Sequence, residues 1–130
     1  MEVNTKYNSP LVLENIEIVE SVFRKNDSKL DDVELGLNVK HEISEITKDE
    51  YEIVLVTTVM DEAEKLFVSV TTKALFHTEQ ENRDMIEKNT IAIMFPYIRS
   101  YISLITTQPG MTPIVLPAMN IVAMINDQQK

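Results

Sequence analysis

The fold is decided by residues 89–120, which read NTIAIMFPYIRSYISLITTQPGMTPIVLPAMN. Apolar side chains recur there every three or four residues, the spacing that aligns them on one face of an α-helix. This stripe is broader than one sheet face usually covers, so it predicts a long helix that also forms an oligomer interface. The residues predicted at that interface are Ile91, Met94, Ile98, Tyr101, Ile102 and Ile105.

Individual residues also indicate where helices begin, bend and end. Pro96 predicts a kink, or a junction between a short and a long helix. Residues 108–110, Gln-Pro-Gly, end the helix because proline cannot continue it and glycine adopts the left-handed conformation. The capping-box pattern at 78–81 predicts that a helix begins there. Residues 121–129 predict a short terminal helix.

The region before the long helix alternates apolar and polar residues, which is the pattern of half-buried strands. The expected strands span residues 11–23, 33–46, 51–59 and 66–76. The turns between them are short and polar, and parallel neighbours would need long crossovers, so the strands are expected to be antiparallel. The sequence therefore predicts an α+β protein. A four-stranded antiparallel sheet is followed by a long helix and a short C-terminal helix, in one domain spanning residues 1–130.

Composition restricts the class of protein further. The chain has a net charge of −9, which disfavours nucleic acid and anionic membranes as partners. It has no cysteine, no basic-then-apolar signal segment at its start and no run of 18 apolar residues. We therefore expect a cytoplasmic protein that does not insert into membranes and whose favoured partners are cationic or unfolded chains.

The sequence offers little to a catalytic mechanism. The two histidines, His41 and His77, do not lie in a metal-ligand spacing, and two glycines leave no phosphate-binding loop. The acidic run Asp61–Glu64 lacks the spacing of a calcium loop and is interpreted as a solvated turn. We predict no catalytic residue, no metal and no cofactor, and hence a protein that is not an enzyme.

Five short strings, taken together, resemble the SecB family of protein-export chaperones. They occur in the family's order and with similar spacing, and the resemblance covers residues 10–126. The strings are VELGL at 33–37, YEIVL at 51–55, LFVSVTTKALF at 66–76, FPYIR at 95–99 and IVLPAMNI at 114–121.

The resemblance implies an ATP-independent holdase that keeps non-native polypeptides from aggregating and passes them to the export machinery. It also implies a homo-oligomer, a dimer of dimers, with an apolar groove for the client. Weak apolar contacts repeated along one client would supply avidity without sequence specificity. The residues expected to line the groove are Val33, Leu35, Leu37, Met119, Ile121, Met124 and Ile125.

A docking site for the SecA motor is a further implication. Acidic residues of the family's first strand engage SecA, but the corresponding positions here are Asn15 and Val19. Their acidic neighbours Glu14, Glu17 and Glu20 are therefore the candidates.

Three other functions are open at this point. A dedicated chaperone of one client, such as an antitoxin, would have the same fold. A small hot-dog-like thioesterase has similar size, but its central helix comes early in the chain, whereas here the long helix follows the strands. A purely structural interaction domain would expose no apolar surface.

Overall fold

The computed structural model of the chain describes residues 3–30 and 32–128. Four strands are followed by two helices, and each sheet pairing is antiparallel. The strand order is β1-β4-β3-β2, so β1 and β2 are the edge strands. This confirms the predicted fold. The elements are β1 (Val12–Lys25), β2 (Gly36–Thr47), β3 (Glu50–Met60), β4 (Leu66–His77), α1 (Arg83–Ile105) and α2 (Ile121–Gln128).

The sheet has two different faces. Side chains of β3 and β4 alternate strictly between buried and half-buried positions, as the period of two requires. The buried set, which includes Ile53, Leu55, Val68, Val70 and Phe76, forms the core with α1. We call the face covered by α1 the inner face and the opposite face the outer face.

Strand β1 contains two irregularities that the sequence pattern did not predict. Its register with β4 shifts between Leu13 and Asn15 and again between Ile18 and Glu20. Each shift adds one residue to β1, and an added residue moves the following side chains to the other face. Leu13, Ile16, Ile18 and Phe23 therefore pack on the core, although they do not share one parity along the chain.

Strand β2 begins three residues later than expected. Its first pairing joins Gly36 to Met60, the last residue of β3. Val33 and Leu35 precede that pair, so they have no partner strand and lie in an irregular segment. Asp32, just before them, has a positive φ of 62°, which turns the chain away from an extended path.

The beginning of α1 also differs from the prediction. The N-cap is Asn82, whose side-chain oxygen accepts a hydrogen bond from the Met85 amide at 3.2 Å. Thr78 lies outside the helix: its amide donates to Asp49 O, next to the paired residues Glu50 and His77, and its hydroxyl accepts from Gln80 N. The helix expected to begin at 78–81 and the long apolar helix that follows it are one continuous helix of 23 residues.

Pro96 lies within α1, on its exposed side. Proline removes the amide that would donate to the carbonyl four residues earlier. Water can reach the backbone on this side, so the missing hydrogen bond does not end the helix.

The segment between the two helices is held from outside. The carbonyl oxygen of Ile114 accepts a hydrogen bond from Ser103 Oγ at 2.8 Å, and its amide donates one to Thr106 Oγ1 at 2.9 Å. Lys25 Nζ donates to Gly110 O at 3.0 Å. Helix α2 then packs against α1. Gln129, predicted at its end, lies outside the described residues.

Within residues 3–30 and 32–128, no helix is long and apolar enough to cross a membrane.

Candidate functional site

A cavity of about 950 Å³ opens at the end of the sheet where β2 begins. Three parts of the chain surround it: the segment before β2, the beginning of β2 with outer-face residues of β3 and β4, and the turn between β3 and β4. Its lining comprises Asp32, Val33, Glu34, Leu35, Gly36, Leu37, Asn38, Lys40, Val56, Thr58, Met60, Asp61, Glu62, Ala63, Glu64, Lys65 and Phe67. We call it the acid-rimmed cavity.

The floor of the acid-rimmed cavity is mostly apolar, with Thr58 between Val56 and Met60. Met60 pairs with Gly36 on one side and with Phe67 on the other, and Val56 lies further along the same face. The Arg24 guanidinium stacks over the Phe67 ring, 4.6 Å from its centroid. A half-covered apolar surface of this kind gains free energy when another apolar group covers it.

The rim of the cavity is mostly negative. Its lining includes five acidic residues against the lysines Lys40 and Lys65. Carboxylates grouped around a low-dielectric floor create a negative potential that attracts cationic groups. The cavity can therefore receive an apolar side chain that is flanked by basic residues. The acidic residues are Asp32, Glu34, Asp61, Glu62 and Glu64.

Glu62, Ala63 and Glu64 form the exposed turn that the sequence predicted, whereas Asp61 departs from it. Its side chain is buried and accepts a hydrogen bond from the Leu66 amide at 3.1 Å. Backbone amides, that of Leu66 first, hold the pKa of the Asp61 carboxyl below its usual range. The turn is also fixed from outside, because the Asn26 side chain donates to Glu64 O at 2.8 Å.

The residues expected to line one client groove lie in two regions of the chain. Val33, Leu35 and Leu37 line the acid-rimmed cavity. The other four belong to α2 and the segment before it, and none of them lines this cavity. Met119 and Met124 are half-buried, whereas Ile121 and Ile125 are buried in the core. Leu37, however, pairs with the buried Val59 on the inner face and packs against the core that contains Ile121 and Ile125. Gln128 of α2 also donates to Val39 O, so α2 lies beside β2. The single client groove stays a prediction.

The helical stripe predicted at the oligomer interface faces the chain's own sheet. Ile91, Met94, Ile98 and Ile102 are buried, and Tyr101 and Ile105 are half-buried. The Tyr101 hydroxyl lies 3.0 Å from Ser21 Oγ. Four of the six side chains are thus packed inside the subunit, and the interface stays a prediction for the helix as a whole.

The opposite side of α1 is uncharged. We call this surface the exposed helix stripe. It comprises Met85, Asn89, Ala92, Pro96, Tyr97, Ser100 and Leu104, all exposed. A run of exposed side chains without charge over most of a long helix is typical of a contact surface.

The acidic residues predicted to dock a receptor are exposed on β1. Glu17 pairs with Lys73 and Glu20 with Thr71 on the outer face. Glu14 lies at the first register shift, and its carboxylate is 4.0 Å from His77 Nδ1. The other histidine, His41, contacts the Glu87 side chain and so joins β2 to α1.

Within the described part of the chain, no three of the His, Asp and Glu side chains lie close enough together to hold a metal ion.

Sequence reasoning missed Met60 and Phe67 as part of the site. The signal was present, because β3 and β4 carry apolar residues in both parities, whereas one buried face needs only one of them.

Comparison with known proteins gives the family. The sequence model for the family described as preprotein translocase subunit SecB matches residues 1–130. The chain belongs to the SecB family. A relative, the uncharacterized protein MJ0357 of Methanocaldococcus jannaschii, is 25% identical, and the match covers 90% of this chain and 80% of the relative.

Two solved structures share the SecB-like fold. The first is the Mycobacterium tuberculosis Rv1957 SecB-like chaperone, in complex with a ChAD peptide from the Rv1956 HigA1 antitoxin. It matches with a TM-score of 0.65 and 13% identity, over 85% of this chain and 91% of that one. The second is a protein of unknown function from Streptococcus agalactiae, with a TM-score of 0.52 and 10% identity, over 83% and 97% of the two chains.

Proposed function

We propose that this SecB-family chain is an ATP-independent holdase chaperone that binds non-native polypeptides for protein export. The observation that carries the proposal is the acid-rimmed cavity, an apolar floor surrounded by carboxylates. Family membership supports a chaperone role, and the cavity supports the kind of client: apolar segments flanked by basic residues.

The contacts in the cavity suit a client of variable sequence. Val33 and Leu35 offer apolar surface beside Met60 and Phe67, without a matching set of fixed polar groups. Each apolar side chain gains about 1.5–3 kcal/mol at full burial, and less when it is only partly covered. One site of this kind is weak, so several subunits must act on one client to hold it.

Assembly through the exposed helix stripe would provide those additional sites. A dimer of dimers formed around this uncharged surface would place several cavities on one particle, which acts in the cytoplasm. Glu14, Glu17 and Glu20 form an exposed acidic row on β1, and we propose it as the docking site of SecA or a similar basic receptor.

A second candidate is a dedicated chaperone of one client. The M. tuberculosis structure supports it, because that SecB-like chaperone is in complex with a peptide from an antitoxin. A dedicated chaperone would bind its own client tightly and general clients poorly.

The proposal is tested by light scattering of a chemically unfolded model protein diluted into buffer with and without the chain. We expect suppression of aggregation at near-stoichiometric subunit ratios, weakened several-fold by Leu35→Asp. Val115→Asp is the matched control, because Val115 is 79% exposed and does not line the cavity. Equal loss in both variants would mean that added charge, and not the cavity, causes the effect. No suppression by a folded oligomer would exclude the general holdase and leave the dedicated chaperone.

A further inference from the structure

Gly36 is the first residue of β2, and its backbone conformation does not require a glycine. The chain has two glycines, and Gly110 has a positive φ of 83°, whereas the φ of Gly36 is not positive. A Cβ atom added to Gly36 would meet Met60 O at 3.7 Å, which is ordinary van der Waals contact. Glycine also weakens a strand, because it has no side chain to pack. What Gly36 provides is therefore the open space beside it.

This space lies next to the side chain of Met60. Cross-strand pairing forms one row across the four strands, which comprises Gly36, Met60, Phe67 and Arg24. The Arg24 guanidinium covers the Phe67 ring, whereas in this row no side chain covers Met60 from the β2 side. Met60 is consequently 38% exposed and lines the acid-rimmed cavity. Gly36 thus leaves the Met60 thioether accessible from the cavity.

Accessible thioethers are few in this chain. It has seven methionines and no cysteine, so thioethers are its only sulfur groups. Among residues 3–30 and 32–128, Met60 and Met85 are exposed, and of these two Met60 lines the acid-rimmed cavity. The other methionines of that part of the chain are buried or are packed half-buried against the core: Met94, Met111, Met119 and Met124. Because oxidants reach exposed sulfur first, Met60 is the thioether of the cavity that is open to oxidation.

We propose that Met60 is a redox modification site whose oxidation to the sulfoxide weakens client binding. This inference rests on the proposed function and adds its regulation. Hydrogen peroxide is the oxidant: a lone pair of the sulfur attacks one peroxide oxygen, the S–O bond forms and the O–O bond breaks. The proton of the transferred oxygen moves to the other oxygen, which leaves as water. The sulfur loses two electrons and the peroxide gains them.

The sulfoxide changes the chemistry of the cavity floor. Its S=O group is polar, whereas the original thioether and the neighbouring Phe67 ring are apolar. An apolar client side chain that covers the sulfoxide deprives its oxygen of water without offering a hydrogen bond, which is unfavourable. A thiol-dependent sulfoxide reductase reverses the change, because two thiols become a disulfide and the oxygen leaves as water. Client binding therefore falls on oxidation and returns on reduction.

The first test measures how fast each methionine is oxidised in hydrogen peroxide, by mass spectrometry of peptides from the treated full chain. We expect Met60 to react at least about 10-fold faster than the buried Met94. Gly36→Val places a side chain beside Met60 and should slow its oxidation several-fold, while the rate at Met85 stays the same. Gly36→Ala is the smaller change and should slow it less. Met60 reacting no faster than Met94, or equally fast in the parent chain and both Gly36 variants, would overturn the inference.

The second test measures binding of a labelled peptide, in which leucines are flanked by lysines, by fluorescence anisotropy before and after oxidation. We expect the oxidised parent chain to bind about 5- to 10-fold more weakly, and to recover after treatment with sulfoxide reductase and dithiothreitol. Met60→Leu should bind equally before and after oxidation. Met85→Leu is the matched control and should lose binding on oxidation as the parent chain does.

The outcomes separate this inference from the proposed function. Equal losses in Met60→Leu and Met85→Leu would place the effect at another methionine, and the assignment to Met60 would be wrong. Unchanged binding by a parent chain that is fully oxidised at Met60 would also refute it. If the untreated chain does not bind the peptide, the proposed function fails and the control of client binding fails with it, whereas the oxidation rates still decide whether Met60 is the modification site.

Discussion

We expect similar substitutions on the two sides of α1 to act differently, one on the stability of the subunit and the other on its assembly. Ile98 is 0% exposed and packs against the sheet, whereas Leu104 is 68% exposed on the exposed helix stripe. Replacing Ile98 by Ala removes methylene groups from a closed core and leaves a cavity, a change that typically costs about 2–5 kcal/mol of unfolding free energy. This is a large part of the 5–15 kcal/mol that stabilises a typical domain.

Leu104→Ala is expected to cost the subunit much less. About a third of Leu104 is buried in the subunit. Its truncation therefore removes about a third of the 1.5–3 kcal/mol that full burial contributes, which is about 0.5–1 kcal/mol of unfolding free energy. The exposed two-thirds is available to a partner subunit. Leu104→Asp should therefore lower the oligomer mass while the secondary structure is kept.

Urea unfolding followed by circular dichroism measures the unfolding free energy, and sedimentation equilibrium measures the oligomer mass. The measurements are made at two protein concentrations, because assembly couples to unfolding. Suppose that Ile98→Ala lowers the oligomer mass while its unfolding free energy falls by less than about 1 kcal/mol, and that Leu104→Asp leaves the mass unchanged. The assignment of Ile98 to the core and of Leu104 to the interface would then be wrong.

Two further predictions concern the ends of elements. Asn82→Ala removes the α1 cap and should lower the unfolding free energy by about 1 kcal/mol, whereas Asn82→Asp keeps an acceptor and should cost little; equal losses in urea titrations would contradict the cap. The lowered pKa of Asp61 means that its contribution to stability is complete above the unfolded value of about 3.9 and is lost as pH falls through the folded value. Urea midpoints of the parent chain and Asp61→Asn should therefore converge on acidification below about pH 4; a constant difference would show that the ionised carboxylate contributes nothing.

Local patterns predicted the elements well because the periodicity of a strand or helix is visible in its own residues. The two central strands were predicted to within one residue at each end, since their alternation is regular and their turns are polar. Features that depend on a distant partner were not predicted. Strand β2 begins where Met60 ends the partner strand, and nothing in residues 33–35 themselves indicates this.

The helix shows the same limit in another form. Periodicity identified the apolar stripe that includes Ile98, but it could not tell that the chain's own sheet covers this side. Likewise, Thr78 and Asn82 are both competent caps, and the sequence alone does not show that Thr78 continues the pairing of β4 with β3 while Asn82 caps the helix. The acid-rimmed cavity joins the segments 32–35 and 61–65, which only the paired strands bring together.

The way in which the segment between the helices is held has a consequence for how such proteins diversify. Its backbone is held at Ile114 and Gly110 by Ser103, Thr106 and Lys25, none of which belongs to residues 107–120, and Leu116 anchors it in the core. The exposed side chains of the segment, such as Val115, can therefore change during evolution while the backbone keeps its course. A lineage can alter the surface chemistry of this segment by point substitution, without first having to stabilise a new loop.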